Sequence, residues 1–239
     1  MKELTFLDFD NPVFPSQDKA LENPDGLLAV GGNLQPETLI SAYHQGIFPW
    51  YEDGQPLLWW SPAERAVIYP DDIKVSRSLR KTLRQTDWEV RLDSDFLSVI
   101  EHCAAPRKKG NEDTWITDEM MSSYFELHRM GYAHSLEIWR HDKLVGGLYG
   151  VLVGAVFCGE SMFSVEKDAS KIALVQLAII MKERTGGGLI DCQLSNDHLL
   201  SMGAVTISRQ NFLATLEGLA DQPCKWPDKW QCKIPDCSV

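Results

Sequence analysis

The 239-residue chain has no uninterrupted apolar run approaching the ~18 residues that a membrane span requires. Its first ten residues, MKELTFLDFD, lack the basic-then-apolar order of a secretory leader. Neither a membrane segment nor a signal peptide is expected, and the chain reads as cytoplasmic. Basic residues are in deficit, 23 against 34 acids for a net charge of −11, which disfavours indiscriminate coating of nucleic acid. Cysteine is too sparse, at six, for a disulfide scaffold. Cys103, Cys158 and Cys192 lie in or beside apolar runs and read as buried, reduced thiols. Cys224, Cys232 and Cys237 contain no C-x2-C pair, so no zinc site is expected there. The patterns G-x-S-x-G, P-loop and H-E-x-x-H are missing, and the histidines are scattered at 44, 102, 128, 134, 141 and 198. A histidine-based nucleophilic triad has no support.

What is present is globular: 44% hydrophobic and 24% charged residues, with 12 Pro and 17 Gly in no repeat. Composition changes near residue 62, because the first 62 residues hold seven of the 12 prolines and three of the eight tryptophans. Residues 1–62 form a small, turn-rich domain with one helix from Pro36 to Gly46. Residues 63–218 read as a mixed α+β domain, and 219–239 as a tail. Strands are expected over 65–69, 88–92, 133–139, 144–153, 155–162, 189–194 and 205–207. Helices are expected over 76–85, 96–103, 117–128, 172–181 and 196–202. This order resembles the acetyltransferase-like (GNAT-like) mixed sheet, and Asn196-x6-Gly203-Ala204 resembles its penultimate helix and turn. The acyl-CoA members of that fold carry a Gly-rich loop at the start of the central helix, where backbone N–H groups meet pyrophosphate. This chain has Val165-Glu-Lys-Asp-Ala-Ser-Lys171 there, so coenzyme A is not the expected donor.

No acid occurs between Asp72 and Asp87, while Arg77, Arg80, Lys81 and Arg84 follow i, i+3, i+4, i+7. A helix puts all four on one face, where like charges repel by ~0.3 kcal/mol per i,i+4 contact. Two readings fit: a solvated helix face, or a track for phosphates, extended by Arg107-Lys108-Lys109. A local positive patch on an acidic protein favours docking of one defined nucleic acid.

Asp191 and Gln193 alternate with Ile190, Cys192 and Leu194 in an otherwise apolar strand, so strand geometry points the acid and amide to one face. Burying either group unpaired costs about 1–3 kcal/mol. Asp191 either holds a loop or caps the next helix, or it joins Gln193 in a hydrogen-bond relay facing a reacting amine. Glu160 ends a second apolar strand, as a salt-bridge partner or as a site residue. Trp50, Trp115 and Tyr124 suit a core as well as a site.

Several segments together resemble the leucyl/phenylalanyl-tRNA-protein transferase family. They are Asn23-Pro-Asp-Gly-Leu-Leu-Ala-Val-Gly-Gly-Asn-Leu34, Gly46-Ile-Phe-Pro-Trp-Tyr51, Leu58-Trp-Trp-Ser-Pro62, Val75-Ser-Arg-Ser-Leu-Arg80, Thr114-Trp-Ile-Thr117, Gly131-Tyr-Ala-His-Ser135, Gly146-Gly-Leu-Tyr-Gly150, Phe157-Cys-Gly-Glu-Ser-Met-Phe-Ser164 and Ile190-Asp-Cys-Gln193. The likeness runs from about residue 11 to about residue 215 and leaves the tail without a role. It implies an enzyme moving Leu or Phe from aminoacyl-tRNA to proteins that begin with Arg or Lys, creating an N-terminal degradation signal, with no cofactor. It implies that Asp191 accepts or polarises the amine proton and that Gln193 holds the amine or relays the shift. Trp50 and Trp115, with Tyr124 nearby, stack the 3′ adenosine. Leu148, Phe157, Met162 and Ile190 form the hole for the aminoacyl side chain, which methionine also enters weakly. Glu160 orients the acceptor or a wall of that hole, and Arg77, Arg80, Lys81 and Arg84 grip the acceptor stem by its phosphates. A monomer suffices. Two rivals remain: an acyl-CoA N-acetyltransferase and a noncatalytic tRNA-binding module.

Overall fold

The computed structural model describes residues 2–85, 87–105, 116–227 and 230–233. The proline-rich N-terminal part builds a small sheet from β1 (Thr5–Leu7), β2 (Leu27–Gly31), β3 (Phe48–Pro49) and β4 (Leu58–Trp60), in the order β1-β2-β4-β3. Helix α1 (Pro36–His44) lies between β2 and β3, with Pro at its first turn and Gly46 in the left-handed region just beyond its end. The short strands of this sheet are not among the elements expected from periodicity. Two to five residues between turns are too few to display alternation.

From Glu64 onward the chain enters a second, larger sheet. Its elements are β5 (Glu64–Ile68), α2 (Arg77–Leu83), β6 (Trp88–Leu92), α3 (Phe96–Ala104), α4 (Asp118–Arg129), β7 (Ala133–Arg140), β8 (Lys143–Val153), β9 (Val156–Ser164), α5 (Ala169–Thr185), β10 (Leu189–Gln193), α6 (Asp197–Ser201), β11 (Val205–Ser208), α7 (Arg209–Ala220) and β12 (Trp230–Lys233). Among the described residues the order is β11-β5-β10-β9-β8-β7-β6-β12. All its pairings are antiparallel except β9 with β10, so this is a mixed α+β sheet.

The helices begin where polar side chains satisfy free backbone N–H groups. Ser76 accepts from Leu79 N at 3.1 Å, Thr117 from Met120 N at 3.2 Å, Asn196 from Leu199 N at 2.9 Å and Ser208 from Asn211 N at 3.2 Å. Helix α7 is not among the expected elements, although Ser208 followed by Phe212 and Leu216 is a cap ahead of an i,i+4 apolar pair, and both residues are buried. The tail departs from its expected standing as well. It supplies β12 to an edge of the larger sheet by pairing with β6, and Cys232 within it is disulfide-bonded.

Alternation along the strands divides the core into two apolar clusters. Tyr149, Val151 and Val153 of β8 join one with α1, α3, α4 and α7, whereas Leu148 and Leu152 join the other with α2, α5 and α6. Helix α5 is buried almost all round from Ala169 to Met181, which is why it reads as a continuous apolar run instead of an amphipathic one.

Candidate active site

β9 and β10 pair in parallel only over three positions, Leu189 with Val156, Ile190 with Phe157 and Asp191 with Cys158. Beyond them β9 continues against β8 to Ser164, while β10 turns away through a register shift between Asp191 and Gln193, with Gln193 at φ +60°. Such a bulge re-aims side chains locally. Across the resulting opening Gln193 Nε2 donates to Glu160 Oε1 at 2.6 Å.

A cavity of about 650 Å³ lies at this opening. The structure brings five residues singled out from the sequence to its wall: Leu148, Phe157, Glu160, Met162 and Ile190. Helices α5 and α6 add Leu174, Leu177 and Leu199, with Ser164, Ser170 and His198 at more polar points. The contribution of α5 has no sign in the sequence, because an all-apolar helix does not reveal which face meets a cavity.

Glu160 is half-buried. Besides Gln193, it accepts from Tyr124 Oη at 2.9 Å, and Tyr124 Oη lies 2.5 Å from Tyr43 Oη of α1. Burial raises its carboxyl to about 7, against the hydrogen bonds from Tyr43, Tyr124 and Gln193 that lower it. Burial also pushes the phenols of Tyr43 and Tyr124 well up, so both remain O–H donors. Tyr124, expected beside a stacked base, is instead fully buried and holds Glu160. Its ring has no open face, since α4 is packed into the core at that point.

The strand alternation that places Asp191 beside Gln193 and facing an amine is corrected by the same bulge. Asp191 is 0% exposed and does not line the cavity. Arg65 of β5 reaches it with Nε to Oδ1 at 2.7 Å and Nη2 to Oδ2 at 2.6 Å. Gln193 N donates to Oδ1 at 2.9 Å, so both carboxylate oxygens are engaged. Arg65, 2% exposed, lies between the rings of Phe48 and Phe212, 4.6 and 4.5 Å from their centroids, and also donates to Gly46 O at 3.3 Å. Arg65 is not among the residues singled out from the sequence, where a single cation in an apolar strand is the available sign. Cys192 follows Asp191 in the chain and Cys158 pairs with it in the sheet. Burial pushes both thiols up, so neither offers a thiolate nucleophile.

Arg77, Arg80, Lys81 and Arg84 are exposed on α2 and at its C-terminal cap, opposite the buried Leu79 and Leu83. None of the four forms an ion pair among the described residues. Helix α2 packs against α5, with Thr82 Oγ1 donating to Asp168 Oδ2 at 3.4 Å. Trp50 is 39% exposed beside Trp60, ring centroids 5.6 Å apart, and does not line the cavity. Trp115 and the run Arg107-Lys108-Lys109 lie outside the described residues. No group of three or more His, Cys, Asp or Glu suited to a metal ion occurs among the described residues, and none of their helices is long and apolar enough to cross a membrane.

Residues 67–217 match the family model described as leucyl/phenylalanyl-tRNA protein transferase, and residues 32–63 match the model of that family's N-terminal domain. This chain belongs to that family. Relatives named leucyl/phenylalanyl-tRNA–protein transferase include one from Azoarcus, 53% identical over 91% of this chain and 93% of its own length. Another, from Nitrosomonas eutropha, is 54% identical over 90% and 91%, and a third, from Shewanella piezotolerans, is 49% identical over 96% of each chain. Together the two matches extend into both sheets. Tyr43 of α1 reaches Glu160 through Tyr124, and Arg65 of β5 links Asp191 to Gly46 of the N-terminal part.

Proposed function

We propose that this enzyme moves leucine or phenylalanine, and methionine weakly, from aminoacyl-tRNA to the α-amine of proteins beginning with Arg or Lys, leaving an N-terminal degradation signal. The observation that carries the reading is the Gln193–Glu160 bond, spanning the gap where β9 and β10 part; Glu160 lines a cavity there whose wall is part apolar and part polar, and Gln193 stands just outside that wall. Leu148, Phe157, Met162 and Ile190 take the aminoacyl side chain. The ester is already activated, so its aminolysis needs positioning and one proton acceptor, and holding two reactants together supplies much of the acceleration.

The incoming α-amine has a reference pKa of about 7.7–8.0. Glu160, at about 7, is matched to it far better than an ordinary carboxylate. Because the amide NH2 of Gln193 is committed to Glu160, its Oε1 is the end available to accept from the amine. The amine nitrogen attacks the ester carbonyl carbon, a C–N bond forms and the C–O bond to the ribose breaks. Glu160 receives a proton from the amine, and the leaving 3′ oxygen regains one, directly or through the neighbouring ribose hydroxyl. Asp191 acts one step removed, as a positioning residue that holds the Gln193 backbone through its N–H while Arg65 holds Asp191 itself.

Trp50, with Trp115, stacks the terminal adenosine, and the α2 cations hold acceptor-stem phosphates beside α5, the helix that lines the cavity. The larger sheet is acetyltransferase-like, as the parallel β9–β10 pair and its splay suggest. Asp168 stands at the N-terminal cap of α5, and a carboxylate at that helix end opposes a pyrophosphate, in keeping with a donor other than coenzyme A. Every group named comes from one chain, so a monomer in the cytoplasm, where charged tRNA is found, is sufficient.

Incubation with radiolabelled Leu-tRNA and a peptide beginning with Arg tests the reading: label enters the peptide, and coenzyme A shows no binding by calorimetry. A protein that binds tRNA yet never labels the peptide is incompatible with it. Gln193→Ala is expected to slow transfer by about tenfold or more while tRNA affinity stays near wild type. The pair Arg80→Glu and Arg84→Glu is expected to do the reverse. It should weaken tRNA binding and flatten its salt dependence by about one logarithmic unit for each phosphate no longer neutralised. Filter binding across a salt series measures this.

A further inference from the structure

The segment after α7 has no regular secondary structure from 223 to 227, yet it buries one large ring. Trp226 is 8% exposed, stacked on Phe157 with centroids 5.5 Å apart and planes 24° apart, and on His134 at 4.7 Å and 21°. Its two partners are themselves held. His134 Nδ1 lies 2.8 Å from Asp93 Oδ2, and Phe157 lies over Gly150, where an added Cβ would come within 2.6 Å of the Phe157 ring. The Trp226 Nε1 is buried without a hydrogen-bond partner among the described residues, as is His134 Nε2. Among the described residues no polar bond therefore accounts for the position of this indole, and what it offers its neighbours is the surface of its ring.

Phe157 lines the cavity and Trp226 does not. Phe157 is thus the only ring between the tail tryptophan and the space assigned above to the aminoacyl side chain, among the described residues. Close packing transmits a change in one layer to the next, and a large-to-small substitution leaves a void into which neighbours relax in part. With Trp226 shortened, Phe157 has room to tilt away from the cavity, which deepens. We propose that Trp226 is a specificity-determining residue for the donor: it sets the depth of the aminoacyl side-chain cavity by fixing Phe157 from behind. The tail then helps to choose among aminoacyl groups without touching them. This rests on the assignment of the cavity to the donor side chain.

The consequence is directional. A deeper cavity grips the small leucyl group less closely and admits a bulkier aromatic one, and a change of about one methylene in such a hole alters selection by about tenfold or more. The experiment uses the full chain and compares kcat/KM for Leu-tRNA, Phe-tRNA and Trp-tRNA with an Arg-initial peptide. Trp226→Ala is expected to raise the Trp-to-Leu ratio by about tenfold, with the affinity for uncharged tRNA unchanged, and Trp226→Phe is expected to stay near the wild-type ranking. Leu148→Trp, which fills the cavity directly, is the companion variant and should depress Phe relative to Leu. If Leu148→Trp leaves the ranking untouched, the cavity is not the donor site and the underlying reading fails. If Leu148→Trp changes the ranking while Trp226→Ala holds it, or lowers all three donors alike, the inference about Trp226 alone is overturned. Should Trp226→Ala not fold, Trp226→Leu must shift the ratio further than Trp226→Phe, and equal ratios reject the proposal.

Discussion

Arg65→Met is expected to cost about 3–5 kcal/mol of stability, because it leaves Asp191 as a buried charge without its cation. At this chain length the loss corresponds to a fall in melting temperature on the order of 10 °C. Arg65 and Asp191 are 2% and 0% exposed, so solvent does little to screen or replace the pair. The substitution also withdraws the guanidinium from between Phe48 and Phe212, which joins the first sheet, the second sheet and α7 at one point. The double variant Arg65→Met, Asp191→Leu should recover most of the stability, since an apolar pair of similar volume can replace a buried ion pair. It should not recover transfer activity, because Gln193 N then lacks the acceptor that sets its backbone. Denaturant melts of wild type and both variants decide the matter; a single variant as stable as wild type would remove the physical basis for Asp191 as a positioning group.

Glu160→Gln is expected to lower kcat for transfer by about 10²-fold or more, in the range of general acid–base contributions. Its carboxyl is raised to about 7, so the wild-type rate should rise with pH through about 7, in addition to the titration of the acceptor amine. In Glu160→Gln the lower of these two ionisations should disappear. The stability effect has the opposite sense. A carboxyl whose folded pKa lies above its unfolded 4.5 favours the folded state below pH 4.5, and that advantage is lost as pH rises to about 7. Above pH 7 the half-buried charge costs up to about 3 kcal/mol, so the glutamine variant should be more stable than wild type at pH 8 and not at pH 4. An enzyme that loses rate without losing the ionisation near 7 would assign the proton to another group. Tyr124→Phe probes the same carboxylate from behind: without the 2.9 Å hydrogen bond, which lowers the Glu160 pKa, the ionisation should move upward.

Much of the larger sheet is legible in the sequence because its elements are long enough to show their period. The helix 117–128 and the strands 133–139 and 144–153 appear as α4, β7 and β8 within a residue or two of each end. The helix starts are legible for the same local reason, since Thr117, Ser76 and Asn196 each satisfy an N–H a few residues away. The apolar lining is legible too, in that Leu148, Phe157, Met162 and Ile190 belong to strands whose alternation can be read and whose neighbours pair in order.

Positions where distant segments meet are the ones that local patterns misplace. Asp191 and Gln193 share a strand in sequence, but the bulge between them sends one to Arg65, 126 residues earlier, and the other to Glu160. Tyr43 and Trp226 carry no local sign of a role, and each acquires one through partners from another part of the chain.

The order of apolar, turn and capping residues by itself determined most of the helices and strands of the larger sheet, the mixed α+β class, the exposed cationic stripe of α2 and several residues of the cavity wall. These depend on interactions within a few residues, where composition and spacing act directly. Only the tertiary structure decided which carboxylate faces the cavity and which is locked in the core. Proton affinity is set by burial and by neighbouring charges and donors, and for Glu160 those donors come from α1, α4 and β10, far apart in the chain, while the partner that locks Asp191 comes from β5.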